Sequence, residues 1–360
     1  MNFRNVINIW SLIFFLFLAD RRVILASTQR YITWDDIKVD SSSLDLTNER
    51  SRKSQGVIAV DQNGNGDSVT VQGAVDIVPI HNSQRVKIFI RPGTYREKVF
   101  IPASKPFISF IGDENQARKI IITGNSKASD KDKYGNVLGT YNTATVAVES
   151  DYFSATGITI ENTVVALPQY NDMQAVALRL AGERAMLYKV RILGSQDTLL
   201  DESGSHYFYK CYIQGSVDFI CGNARSLYQG CDLYSVAEDN IGISGAIAAH
   251  QRNSADEDSG FSFVDCKISG SGSILLGRAW GEYSRIIYSN CYFDALITPE
   301  GWFDWNQLSR HKHAVFGEYK CKGRGANRKG RVEWSKSLNK TQAQPFLNTK
   351  FIGGEQWLRL

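Results

Sequence analysis

Two stretches of the chain align without a gap: Tyr188-Lys189-Val190-Arg191-Ile192-Leu193-Gly194-Ser195-Gln196-Asp197 sits 21 places before Tyr209-Lys210-Cys211-Tyr212-Ile213-Gln214-Gly215-Ser216-Val217-Asp218. Weaker copies follow at Cys231-Asp232-Leu233, Cys266-Lys267-Ile268 and Cys291-Tyr292-Phe293, each a small residue, an outward residue and a large apolar one. Short alternating runs such as Val86-Lys87-Ile88-Phe89-Ile90, Ile120-Ile121-Ile122 and Gly157-Ile158-Thr159-Ile160 precede them. Strands recurring near every 20 residues, with little helical periodicity between, predict a solenoid. One coil cannot bury its own apolar face, whereas stacked coils share a continuous core. Parallel stacking sets equivalent residues roughly 4.8 Å apart. Residues from about 50 to 335 therefore read as a parallel β-helix, with the C-terminal segment packed along its side; an antiparallel sandwich would have to produce the ten-residue match by accident.

The repeat gives the cysteines a place. Val190, Cys211, Cys231, Cys266 and Cys291 share one coil position and form an inward column. A Cys211–Cys231 disulfide is within reach of that spacing, with Cys266–Cys291 as a second pair. Buried thiols filling a small core position are the open alternative. No tight Cys/His spacing points to a metal.

The first residues bear on compartment. Arg4 precedes an apolar run from Val6 to Ala19, too short to span a bilayer comfortably, and small Ala26-Ser27 follow, so residues 1–26 read as a secretory signal peptide. Residues 27–49 read as an N-terminal extension and 50–360 as the β-helix domain. The formal net charge of +4 includes Arg4, Arg21 and Arg22 against Asp20, or +2, which leaves +2 for the remainder. So weak an excess gives no argument for nucleic acid and is compatible with an anionic polysaccharide. After signal cleavage no membrane contact is expected.

The 21-residue register places Asp197 over Asp218, while a 22-residue spacing links Gln174, Gln196 and Asp218. In either register two carboxylates and two carboxamides converge on one patch. Carboxylates that close titrate as a pair, one pushed upward, which divides them into an ionised nucleophile or base and a proton donor. Neutral amides beside them suit a developing oxyanion. An Asp at a strand end is often only a turn cap, and a Gln only a ladder residue. Stacked with no adjacent cation in sequence, however, two Asp would be an electrostatic liability without a function.

Five segments, Gly93-Thr94-Tyr95-Arg96-Glu97, Gln174-Ala175-Val176-Ala177-Leu178, Gln196-Asp197-Thr198-Leu199, Val217-Asp218-Phe219-Ile220-Cys221-Gly222-Asn223 and Leu276-Gly277-Arg278-Ala279-Trp280, resemble in order the signatures of plant-type pectinesterases. Further similarity at Tyr283-Ser284-Arg285, Pro299-Glu300-Gly301-Trp302 and Gly317-Glu318-Tyr319-Lys320 extends it over about residues 50 to 357. The resemblance implies an all-β, right-handed single-stranded parallel β-helix. It also implies hydrolysis of the C6 methyl esters of cell-wall homogalacturonan, releasing methanol and leaving free carboxylates. It makes Asp218 the nucleophile, Asp197 the general acid and then base, and Gln196 the transition-state stabiliser. Gln174 becomes a second amide contact, Arg278 the cation that holds the nucleophile and touches substrate, and Trp280 and Thr140 substrate contacts. Tyr95 and Glu97 read as serving the fold. No metal and no cofactor are implied; a proteinaceous pectinesterase inhibitor is an implied partner, and a secreted, cell-wall monomer is expected, with Asn339 a candidate glycosylation acceptor. Before residue 50 there is no room for a long inhibitory pro-region.

Two residues depart from the family pattern: Cys221 where Phe is usual and Ala279 where Pro is usual. The first removes aromatic surface near the site, and the second frees a φ that the ring would have fixed. A pectate lyase would need clustered acids for Ca²⁺ and a basic residue to abstract a proton. A polygalacturonase would need carboxylates around a glycosidic bond. A serine esterase would show Gly-X-Ser-X-Gly, which does not occur. A catalytically silent pectin-binding protein would not need the complete carboxylate and amide set.

Overall fold

The computed structural model describes residues 31–39, 52, 55–167, 170–238, 243–294 and 296–360. The expected signal peptide, 1–26, lies outside them, as does much of the extension 27–49.

Three parallel sheets run the length of the molecule, and each coil contributes one strand to each in turn. Sheet I has eight strands, from Gly93–Arg96 to Tyr292–Phe293; sheet II has eight, from Val99–Ile101 to Trp302–Phe303; sheet III has eleven, from Val57–Val60 to Lys336–Ser337. This is a parallel β-helix, as the repeat requires.

Its core is built from columns of like residues. On sheet I the register stacks Ile122, Ile160, Ile192, Ile213, Leu233 and Ile268. On sheet III Phe208, Tyr228, Phe263 and Tyr288 stack face to face, with centroids 4.5, 4.7 and 4.5 Å apart. All are fully buried, and each such side chain contributes about 1.5–3 kcal/mol relative to exposure. β-Branched and aromatic residues suit this because each column is a half-buried pleated surface repeated at the inter-strand distance.

One end is closed by the helix Val71–Ile77, which buries Val71, Ala74 and Val75. Thr70 caps it by accepting from the Gly73 amide, and the Glu97 carboxylate accepts from the Val71 and Gln72 amides. Tyr95 is buried, its hydroxyl donating to the Arg91 carbonyl. Glu97 and Tyr95 thus serve the fold. The first described strand and the C-terminal segment meet along sheet III. Ile32–Thr33 pairs in parallel with Leu358–Arg359, and Phe351, Ile352 and Trp357 cover Met186, Tyr207 and Leu227 on the outer face of that sheet.

The cysteine column is present, and it is longer than the repeat suggests, because Cys321 joins Cys211, Cys231, Cys266 and Cys291. Each thiol donates to a carbonyl of the preceding coil: Leu187, Phe208, Tyr228, Phe263 and Tyr288 in turn. All six cysteines are free, which corrects the candidate Cys211–Cys231 bridge and the Cys266–Cys291 pair. In a parallel ladder the Cβ vectors run side by side about 4.8 Å apart, outside the roughly 3.5–4.5 Å a disulfide needs.

Candidate active site

The turns leading from sheet I to sheet II carry the residues singled out by the repeat. Here the 21-residue register holds: Leu193 pairs with Gln214, Leu199 with Ile220, and the Asp197 amide donates to the Val217 carbonyl at 3.0 Å. The 22-residue spacing is not structural, since Leu178 pairs with Leu199 and so sets Ala175, rather than Gln174, level with Gln196. Ser195 and Ser216 share a buried hydroxyl contact at 3.0 Å beneath the two turns. Gly215 opens the second turn. A Cβ there would lie 2.1 Å from that of Phe219, so only glycine fits.

Asp197 and Asp218 have the same left-handed backbone, φ 58° and 46°. Asp accepts this region better than most residues but at some cost, and such strain gathers at functional sites. The two carboxyls differ in company. Asp218 receives both arms of Arg278: Nε at 2.7 Å from Oδ1, and Nη2 onto Oδ2. Arg278 stands two strands further along sheet II, opposite Ala249, which itself stands opposite Cys221. The small Ala249 lets the guanidinium reach back over it. The guanidinium also lies on the Trp305 ring, 4.1 Å from its centroid. Among the described residues no donor reaches the Asp197 carboxyl.

Burial, the neighbouring charge of Asp218 and only partial relief from Arg278 together push Asp197 well above the usual carboxylate range. Burial also lifts Asp218, but the Arg278 hydrogen bonds and charge oppose it. The expectation that Arg278 favours the ionised form of Asp218 thus holds as a contribution, although burial makes the net shift upward. Asp197 is the carboxyl that keeps its proton longer, and Asp218 the one held ready to ionise.

Gln196 precedes Asp197 in the first turn, and Gln174 lies on the neighbouring coil. The Gln196 carbonyl accepts from the Ala175 amide at 3.1 Å, joining the Gln174 strand to the Asp197 turn. Gln174 Oε1 is buried without a partner, an unpaired polar atom of the kind retained where a ligand completes it. The segment carrying Thr140 is tied in through Ala128, whose amide donates to the Gln174 carbonyl and whose carbonyl accepts from Gly139. Trp280 stands outward, 38% exposed.

Two hollows share Val217 as a wall. One, of about 730 Å³, is lined by Gln196, Ser216, Tyr170 and Ile243 among others; the other, of about 280 Å³, by Arg278, Leu275, Ser244 and Phe303. Their linings hold the sequence neighbours of both aspartates, Gln196 and Val217, and the Asp218 partner Arg278. Phe303, Trp305 and Val217 were not identified from sequence. The aromatic cluster Trp302-Phe303-Asp304-Trp305 was the available signal. Cys221 is buried beside Leu200, Ala249 and Val176 in the cleft floor. Burial and the nearby carboxylates raise its thiol well above the ordinary range, so it serves as apolar floor where Phe is usual.

The sequence profile of the Pectinesterase family matches residues 57–355. Pectinesterase QRT1 of Arabidopsis thaliana is 56% identical over 349 residues, covering 92% of this chain and 91% of the relative. Putative pectinesterase 11 of the same plant is 41% identical over 305 residues, covering 84% and 81%. Among solved structures, the pectin methylesterase from carrot superposes with TM-score 0.77 at 34% identity, covering 83% of this chain and 94% of that one. The enzyme from Aspergillus niger gives 0.70 at 26% identity, covering 84% and 95%.

Proposed function

The chain belongs to the pectinesterase family, a carboxylic ester hydrolase acting on the methyl esters of pectin, and on that premise we propose that Asp218 and Asp197 carry out the reaction in distinct roles. Ionised Asp218 attacks the C6 carbonyl carbon of a methyl-esterified galacturonate. The tetrahedral oxyanion is met by the Gln196 and Gln174 amides. As the C–O bond breaks, Asp197 gives its proton to the departing methoxide, and methanol leaves an acyl-enzyme on Asp218. Asp197, now the base, takes a proton from water, whose oxygen attacks the same carbonyl. Collapse releases the galacturonic acid and restores Asp218. Arg278 keeps the nucleophile ionised and aimed; Trp280 and Thr140 contact the polymer. The observation that carries the assignment is the asymmetric pairing of Arg278 with Asp218 and not with Asp197.

The leader 1–26 directs the protein out of the cell to the wall, where it acts as a monomer, open to a proteinaceous inhibitor. No helix among the described residues is long and apolar enough to cross a membrane. Exposed Asn339, which caps the helix Lys340–Ala343, is the proposed glycosylation site. Domain 50–360 is the proposed catalytic unit. The test of the chemistry is Asp218→Asn, which the left-handed backbone accepts. Methanol release should vanish with the thermal midpoint unchanged. A residual rate above about a tenth, under ~1.4 kcal/mol of barrier, would refute covalent catalysis by this residue.

A further inference from the structure

On the outer face of sheet I, at the far end of the strands that lead into the two aspartates, lies a second concave surface that the ester chemistry does not use. It is a groove of about 250 Å³ lined by Glu114, Arg118, Lys189, Arg191, Lys210 and Tyr212, together with their backbone neighbours. Arg191 pairs in register with Tyr212, and its guanidinium lies over that ring, 4.1 Å from the centroid. Tyr212 in turn stacks on Tyr234 of the next coil at 6.0 Å.

Four cations face the groove and one carboxylate. Lys189 holds Glu114 at 2.6 Å. Among the described residues Arg118, Arg191 and Lys210 form no ion pair, and Asp232, opposite Tyr212 on the following coil, does not engage them. Burial and then the Arg118 charge lower the pKa of the Arg191 guanidinium, so two like charges are held together without an acid between them. That is unfavourable until an anion arrives.

We propose that this groove is a non-catalytic site for de-esterified homogalacturonan, the carboxylate-rich product of the enzyme's own reaction. A guanidinium fork matches a carboxylate bidentately. Arg191 lies five residues before Gln196, on the order of 16 Å along extended chain, so one polymer can occupy both sites. Holding the product stretch raises the effective concentration of the remaining esters at the carboxylates. The proposal rests on pectin being the substrate, and not on the roles given to Asp218 or Asp197.

The test is calorimetric titration of the full protein with a fully de-esterified decagalacturonate, at low and high salt. The Arg118→Gln/Lys210→Gln double variant changes only exposed side chains and should keep its thermal midpoint. It should bind about tenfold more weakly with a flatter salt dependence. Its initial methanol release from a short methyl-esterified oligomer should be unchanged, while on long pectin its carboxylates should be scattered rather than contiguous. Equal decagalacturonate affinity in wild type and double variant overturns the proposal. So does polyglutamate binding as tight as the sugar polymer, which would mean a generic cationic patch. The binding readout persists in Asp218→Asn, so failure here is distinct from failure of the catalytic assignment.

Discussion

Replacing Arg278 with glutamine isolates the interaction that, in the proposed mechanism, makes one carboxyl the nucleophile. Asp218 is 8% exposed and the Arg278 side chain 22%, so water compensates little for the lost cation. The guanidinium supplies two charge-assisted hydrogen bonds, each worth about 1.5–3 kcal/mol, and a glutamine amide returns one neutral bond of about 0.5–1.5 kcal/mol. Part of the difference is absorbed by relaxation and by water entering the cleft, which leaves about 2 kcal/mol less support for the carboxylate. Because Arg278 opposes the upward push of burial on Asp218, its removal moves that pKa further up. At a pH on the acidic limb the ionised fraction, and with it kcat/KM, should fall roughly 30-fold, while rates above the limb converge more closely. Arg278→Lys should displace the limb less yet still lose rate, since an ammonium cannot reproduce the fork. The assay is a kcat/KM–pH profile for wild type and both variants on one pectin of fixed methylation. An acidic limb that stays in place, or moves to lower pH in Arg278→Gln, would detach Arg278 from the nucleophile.

Gln196→Ala should lower kcat by about 10²–10³ with little change in KM, whereas a pure KM effect would make Gln196 a positioning residue. Asp197→Asn should abolish turnover yet raise thermal stability. The folded Asp197 holds its proton more tightly than the unfolded one, so the wild type loses stability as pH rises above about 3.9, and the gain in Asn, of order 1 kcal/mol, should be present at pH 7 and absent near pH 3. An equal gain at both pH values would deny the shift. Buried His206 places Nδ1 2.5 Å from Asp201 and Nε2 2.8 Å from the Gly182 carbonyl, and Tyr228 donates to the same carboxylate at 2.6 Å. Burial opposes the imidazolium, but the Asp201 charge and hydrogen bond outweigh it and raise the pKa. Its stabilisation is therefore complete below about pH 6.5 and lost as pH climbs through the raised value. The thermal midpoint should decline on that alkaline side in wild type and show no such step in His206→Gln.

What could be read from the sequence was what the coil repeats locally. A gapless 21-residue copy fixes which side chains share a column, so Asp197 and Asp218, and Val190 and Cys211, fall at matching coil positions. The register reading failed where coils lengthen. The 22-residue link between Gln174 and Gln196 is one residue off the strand pairing, and Cys321, 30 residues after Cys291, did not announce itself as part of the column. Chemistry that depends on vectors rather than spacing was also hidden: cysteines one coil apart looked bridgeable, yet parallel Cβ directions leave them as thiols. Contacts joining distant segments left no periodic trace. Trp305 beneath Arg278, and Ile32–Thr33 paired with Leu358–Arg359, are of this kind.

A solenoid poses a difficulty for acid–base chemistry, because equivalent positions on successive coils inherit equivalent surroundings. Asp197 and Asp218 have matching backbone angles, sit at the same point of the same turn, and rest on a shared serine pair. Two such carboxyls would by symmetry compete for one proton without assigned roles. The symmetry is broken by a residue outside both coils. Arg278 comes from two strands further on, reaches back across Ala249, and closes on the nearer aspartate alone. A larger residue at 249 would block that path, and an arginine on the adjoining strand would stand within reach of both carboxyls. In the proposed mechanism the division into acid and nucleophile is thus set by the length of one side chain against the spacing of the coils, with a small residue between them to let it pass.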